Sequence, residues 1–172
     1  MTMPAANVFI AGSRAITRLD DGIQQRLDRI MAEGHHVLVG DASGADRIVQ
    51  HYLSERSYAN VTVYCTGLKC RNNVGHWNTM NVASPAEITR GFDFYAIKDR
   101  AMADAATHGL MLWDGESRGT LTNIKNLIKG EKPVVVYLSP AKIFVTVRNT
   151  LDLTAAMDQL AARHETAARK RA

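Results

Sequence analysis

The feature that most constrains this chain is an alternation, without any internal sequence repeat: a short apolar run ends in a polar turn, usually glycine-bearing, and gives way to an amphipathic stretch. The runs lie at residues 8–11, 37–39, 61–64, 110–113 and 134–138, with a sixth at 143–147 that reads as an edge strand. An unbroken apolar run is what a strand looks like when helices cover both of its faces, as in a parallel sheet. Between the runs, Ile23, Leu27, Ile30 and Met31 fall at helical spacing, as do Ile48, Val49, Tyr52 and Leu53, and later Ile124, Leu127 and Ile128. Asp20 or Asp21 is placed to cap the first helix, and Gly34 to stop it. A further helix over about 93–107, ended by Gly109, puts Ile97, Ala101, Met102 and Ala105 on one face. A last helix starts near Thr150 or Asp152 and buries Leu153, Met157 and Leu160. The pattern predicts an α/β, Rossmann-like, doubly wound and mostly parallel sheet of five or six strands with helices on both faces. At 172 residues the chain fits one domain spanning 1–172.

The periodicity is lost over about 65–92. This stretch is either a lid that turns His76 or Trp77 toward a ligand or an insertion packed on the surface. Cys65 and Cys70 lie within it and read as two ordinary thiols, the alternatives being a bridge that closes only a small loop and a zinc site that would need two more ligands with only His76 near. The histidines show no metal-ligand spacing, so no metal is expected, and no cofactor is implied. No apolar run approaches the ~20 residues that span a bilayer, and the first residues lack a signal-peptide pattern. A cytoplasmic protein with no membrane partner is expected. The net charge of +4 owes much to a basic tail over about 163–172, with Arg163, Arg169, Lys170 and Arg171, which reads as frayed and solvated.

Three polar turns follow apolar runs: Gly12-Ser13-Arg14, the stretch 40–46, and the stretch 113–120. In a parallel sheet the carboxyl ends of the strands share one edge, so turns far apart in sequence converge there, and ligands of open α/β sheets bind along that edge. Glycine lets backbone approach an anion closely, and a helix N-terminus supplies free N–H groups and partial positive charge. Gly12, Ser13, Arg14, Gly40, Asp41, Ser43, Gly44, Trp113, Asp114, Ser117, Gly119 and Thr120 are therefore the candidate ligand-binding residues. Arg14 suits a phosphate or carboxylate, and Asp41, directly after a strand, is placed to face ligand. Asp46 either caps the second helix or accepts from a ribose hydroxyl. Trp113 is either core or a surface for a base. Lys98, Asp99 and Arg100 read as a solvated triplet. No Walker loop, dinucleotide fingerprint or nucleophile elbow is present.

The segments VFIAGSR, VLVGDASGADRIV, KDRAMADAATHGLMLWDGESRGTLTNI and PVVVYL, in that order, resemble the SLOG superfamily, and most of all the small YspA-like members from bacteria and phages. SLOG domains are Rossmann-like relatives of the Lonely Guy-type phosphoribohydrolases and of the DNA-processing protein DprA. The resemblance implies a pocket for a nucleotide or nucleotide-derived molecule, used as a sensor or as an enzyme, and a homo-oligomer. The enzymes carry a glutamate after their glycine-rich loop, as do the nucleoside deoxyribosyltransferases; here Asn123 stands at that place. A binding or sensing module is the first expectation. A nucleotide N-glycosidase using Asp99 or Asp46 as its carboxylate is the alternative. Single-stranded nucleic-acid binding, by analogy with DprA, is a third.

Overall fold

A computed structural model describes residues 4–170. One sheet runs through it in the order β4-β3-β2-β1-β5-β6-β7. Its strands are β1 (Asn7–Gly12), β2 (His36–Gly40), β3 (Val61–Thr66), β4 (Asn78–Val82), β5 (His108–Trp113), β6 (Val134–Leu138) and β7 (Ile143–Val147). The pairings are parallel except β6 with β7. The helices are α1 (Asp21–Ala32), α2 (Ala45–Glu55), α3 (Gly91–Ala105), α4 (Arg118–Lys129) and α5 (Thr150–Arg169).

The Rossmann-like α/β architecture read from the sequence is the one observed. Its central strands are apolar because successive side chains enter two separate cores. Phe9, Leu38, Met111 and Val136 pack beneath α3, α4 and α5, while Ile10, Val39, Leu112 and Tyr137 pack beneath α1 and α2. Asp20 caps α1 by accepting the Ile23 N–H at 3.0 Å.

Several details differ from expectation. The sheet has seven strands, because the aperiodic stretch hides β4, an exposed edge strand that has no apolar run. Cys65 and Cys70 are joined as a disulfide, with Cα atoms 5.2 Å apart, rather than standing as free thiols. Met157 is 44% exposed, while Ala156 takes its place in the core. Gly109 lies inside β5, where a Cβ would run into Leu127, and α3 ends earlier, at Ala105. The basic tail is helical rather than frayed: Arg163 and Arg169 lie exposed on α5, with Lys170 as its C-cap, and Arg171 lies outside the described residues. Among the described residues no helix is long and apolar enough to cross a membrane.

Candidate functional site

The strand order reverses between β1 and β5. From β1 the chain goes on to α1 on one face of the sheet, and from β5 to α4 on the other, so the two turns part and leave a crevice at the carboxyl ends of the strands. A cleft of about 750 Å³ occupies that place. Gly12, Arg14, Asp46, Asp99, Asp114, Ser117, Gly119 and Thr120 line it.

Most of the other candidate residues lie behind the cleft. Ser13 is fully buried. Its Oγ accepts the Asp114 N–H at 3.1 Å and lies 3.5 Å from Thr120 Oγ1, which ties the β1 turn to the β5 turn. Gly44 holds φ 74°, ψ −128° at the start of α2, where a Cβ would collide with the Arg14 carbonyl oxygen. Gly40 clears space: a Cβ there would lie 2.5 Å from Asp46 Oδ2 and 2.8 Å from Lys98 Nζ. Ser43 is exposed and outside the cleft lining. Trp113 is 2% exposed, belongs to the core and donates its indole N–H to the Ser117 carbonyl at 3.2 Å, so its ring offers no surface to a base.

Asp41 does not face ligand either. Its carboxylate receives Arg71 Nη2 at 2.6 Å, Nε at 3.2 Å and the Arg71 backbone N–H at 2.9 Å. Burial pushes its carboxyl up, but these bonds to Arg71 outweigh burial and hold it below the usual carboxylate range. Asp114 behaves likewise: burial raises it, and the N–H groups of Ser117 and Glu116 bring it down.

The floor of the cleft is a charged cluster. Lys98 is only 3% exposed, not part of a solvated triplet. Its ammonium donates to Asp99 at 2.5 Å, and Asp99 Oδ2 accepts the Asn123 amide at 3.3 Å. Burial alone would lower Lys98, yet Asp99 and Asp46 raise it above its usual value, so it stays an ammonium. Asp46 does not cap α2; its carboxylate accepts the Ala42 N–H at 3.1 Å. Burial pushes Asp46 up to about 6, against the pull of Lys98. The folded chain therefore holds a proton here that the unfolded chain releases between about pH 4 and 6. Stability from this group is complete below about pH 4 and is lost as pH rises through 6. A shift of this size corresponds to about 3 kcal/mol between those limits. Asp46→Asn is expected to flatten the stability profile between pH 4.5 and 7.5 in urea titrations; a variant as pH-dependent as the parent would refute this assignment.

Sequence reading missed Arg71, Phe92 and Tyr95. Arg71 comes from the aperiodic stretch and stacks 3.9 Å from the Tyr95 ring centroid; Arg118 lies 4.3 Å from that of Phe92. Arg71, Phe92 and Tyr95 line the cleft. Lys98 had one signal, its spacing of four from buried Met102; Arg71 had none. Among the described residues no three His, Cys, Asp or Glu side chains gather as metal ligands.

The sheet order and the crevice define a Rossmann-like α/β protein. No family model matches the chain, and no curated protein matches it. Among solved structures it is similar to DNA processing protein A from Helicobacter pylori, with a TM-score of 0.54 and 15% identity, over 76% of this chain. The match spans 64% of that protein's chain, whose structure is described for its single-stranded DNA binding mode. At that identity the likeness is one of fold.

Proposed function

We propose that the cleft at the β1–β5 reversal binds a nucleotide or a nucleotide-derived small molecule, and that the chain is a binding or sensing module of the SLOG kind. The observation that carries this reading is the meeting of Gly12, Arg14 and the first turn of α4 at one rim. Ser117 spends its Oγ on the Thr120 N–H. The N–H groups of Arg118 and Gly119, which have no intrahelical partner, remain for an anion. Phe92 and Tyr95 supply apolar and aromatic wall. Asn123 favours binding over turnover: it is an amide, and with Lys98 it occupies the Asp99 carboxylate.

A second reading, N-glycosidic hydrolysis, draws on one observation: Asp46 and Asp99 both line the cleft, one pushed toward its neutral form by burial. Single-stranded DNA is a third ligand class, suggested by what the Helicobacter pylori protein binds. The cytoplasm, with its nucleotide pool, suits the first reading, and there the Cys65–Cys70 bridge would be reversible.

Gly119→Ala separates binding from folding. A Cβ at Gly119 meets nothing within 4 Å, so the variant should melt as the parent does, while its methyl group enters the rim of the cleft. Calorimetry with nucleoside mono- and diphosphates is expected to show binding that Gly119→Ala weakens by about tenfold, the loss of roughly one charge-assisted hydrogen bond. Binding by neither protein would overturn the reading. Release of free base by the parent would replace it with the second, and retention of oligonucleotide alone at physiological salt with the third.

A further inference from the structure

We infer that β4 is a pairing edge for a second copy of this chain, joined antiparallel about a two-fold axis at Met80. Residues 78–81 are all exposed and lie at the outer edge of the sheet. The Val82 carbonyl accepts the Gly67 N–H at 2.9 Å, so Val82 turns its polar backbone groups toward β3. By the alternation of a strand, Met80 and Asn78 do the same, and Thr79 and Asn81 turn theirs outward.

A two-fold axis at Met80 sets Thr79 of each copy opposite Asn81 of the other. That arrangement gives two hydrogen-bonded pairs, four N–H···O bonds in all, using the outward groups of both strands. Met80 then faces Met80 as a non-hydrogen-bonded pair, the closer kind, with Cα atoms roughly 4.5 Å apart. Met80 is 49% exposed, and Leu68, in the loop that bonds Val82, is fully exposed, so apolar surface accompanies the open edge.

The charge pattern points to a copy of the same chain. About a two-fold axis the central residue meets its own copy and its neighbours lie close to theirs, so a charge on or beside the axis would be repelled by its symmetry mate. Residues 72–86 contain no Lys, Arg, Asp or Glu, although 22% of the chain is charged. The opposite edge, β7, shows the contrary design. A two-fold axis at its central Val145 would set Lys142 against Arg148, the kind of guard that keeps sheet edges apart.

The test uses the full chain in sedimentation equilibrium. The parent is expected to form a concentration-dependent dimer of twice the 18.9 kDa chain mass. Met80→Lys and Met80→Glu each set like charges face to face and should weaken association by at least about tenfold. Mixed one to one, the two variants should associate again, which also shows that both are folded. Amide exchange should slow at Thr79 and Asn81 as the parent associates. A monomeric parent, a dimer indifferent to both variants, or a mixture that stays monomeric would each overturn the inference. So would protection of those amides by an extended peptide with no dimer.

Discussion

Gly44→Ala is expected to destabilise the fold by more than about 3 kcal/mol, the largest effect of any single methyl group added near the cleft. Two costs coincide. At φ 74° and ψ −128° the backbone occupies a region open essentially to glycine alone, and holding another residue in such a region costs about 1–3 kcal/mol. The added Cβ would also collide with the Arg14 main chain, with its carbonyl carbon at 2.5 Å and other backbone atoms nearer. Backbone cannot rotate aside as a side-chain tip can. The β1 turn would have to move, and with it Ser13, whose Oγ links that turn to Asp114. For a chain of this length 3 kcal/mol corresponds to a fall in Tm of roughly 6–12 °C. Gly34→Ala is the control: φ there is 72°, but a Cβ meets nothing within 4 Å, so only the conformational cost applies. Urea and thermal melts of both variants check the ranking. Gly44→Ala within 1 kcal/mol of Gly34→Ala would show that the β1 turn does not rest on α2 in this way.

The same residues show what a sequence of this kind discloses. Gly12, Gly40 and Gly44 stand out because they follow apolar runs, and the sheet does bring them to one edge. Proximity to the cleft and contact with it are different things, however. Gly12 lines the cleft, while Gly40 and Gly44 do not and are instead required by close neighbours, Asp46 and Lys98 at Gly40 and the Arg14 backbone at Gly44. Side-chain direction at a strand end depends on the local turn, which periodicity does not encode; this is why Asp41 was expected to face ligand and instead grips Arg71. Core strands were legible because burial on both faces leaves an unbroken apolar signal. β4 was not, because an edge strand, Asn-Thr-Met-Asn-Val, exposed over its first four residues, has no such signal to give. Lys98 was misplaced for the complementary reason. Lysine on a helix ordinarily faces water, and only the convergence of Asp46 and Asp99, from segments about fifty residues apart, makes its burial tolerable.

That convergence sets up the second large effect. Lys98→Met preserves the length and much of the bulk of the side chain while removing its charge. Asp46, 5% exposed, and Asp99, with its side chain 20% exposed, would then share the cleft floor with no ammonium beside them. Removing one partner of a buried ion pair costs about 3–5 kcal/mol, most of it the burden of the stranded charge. The variant is expected to lose that much at pH 8. Lys98, already raised above its usual value, does not titrate between pH 4 and 8, and Asp46, raised by burial to about 6, supplies the pH dependence of the loss. Without the cation the Asp46 carboxyl moves further upward, and the folded variant holds its proton over a pH range in which the parent has released it. Its stability therefore rises, relative to the parent, as pH falls, and the gap should narrow toward pH 4.5. Adding Asp46→Asn to Lys98→Met should recover part of the loss at pH 8, because one of the stranded charges is gone; the two substitutions share an interaction and should not be additive. Urea titrations of the parent, both single variants and the double variant at pH 4.5, 6 and 8 decide the matter. A deficit that stays constant with pH, or a double variant whose loss is the sum of the two single losses, would mean that Lys98 is held by packing and that Asp46 does not feel its charge.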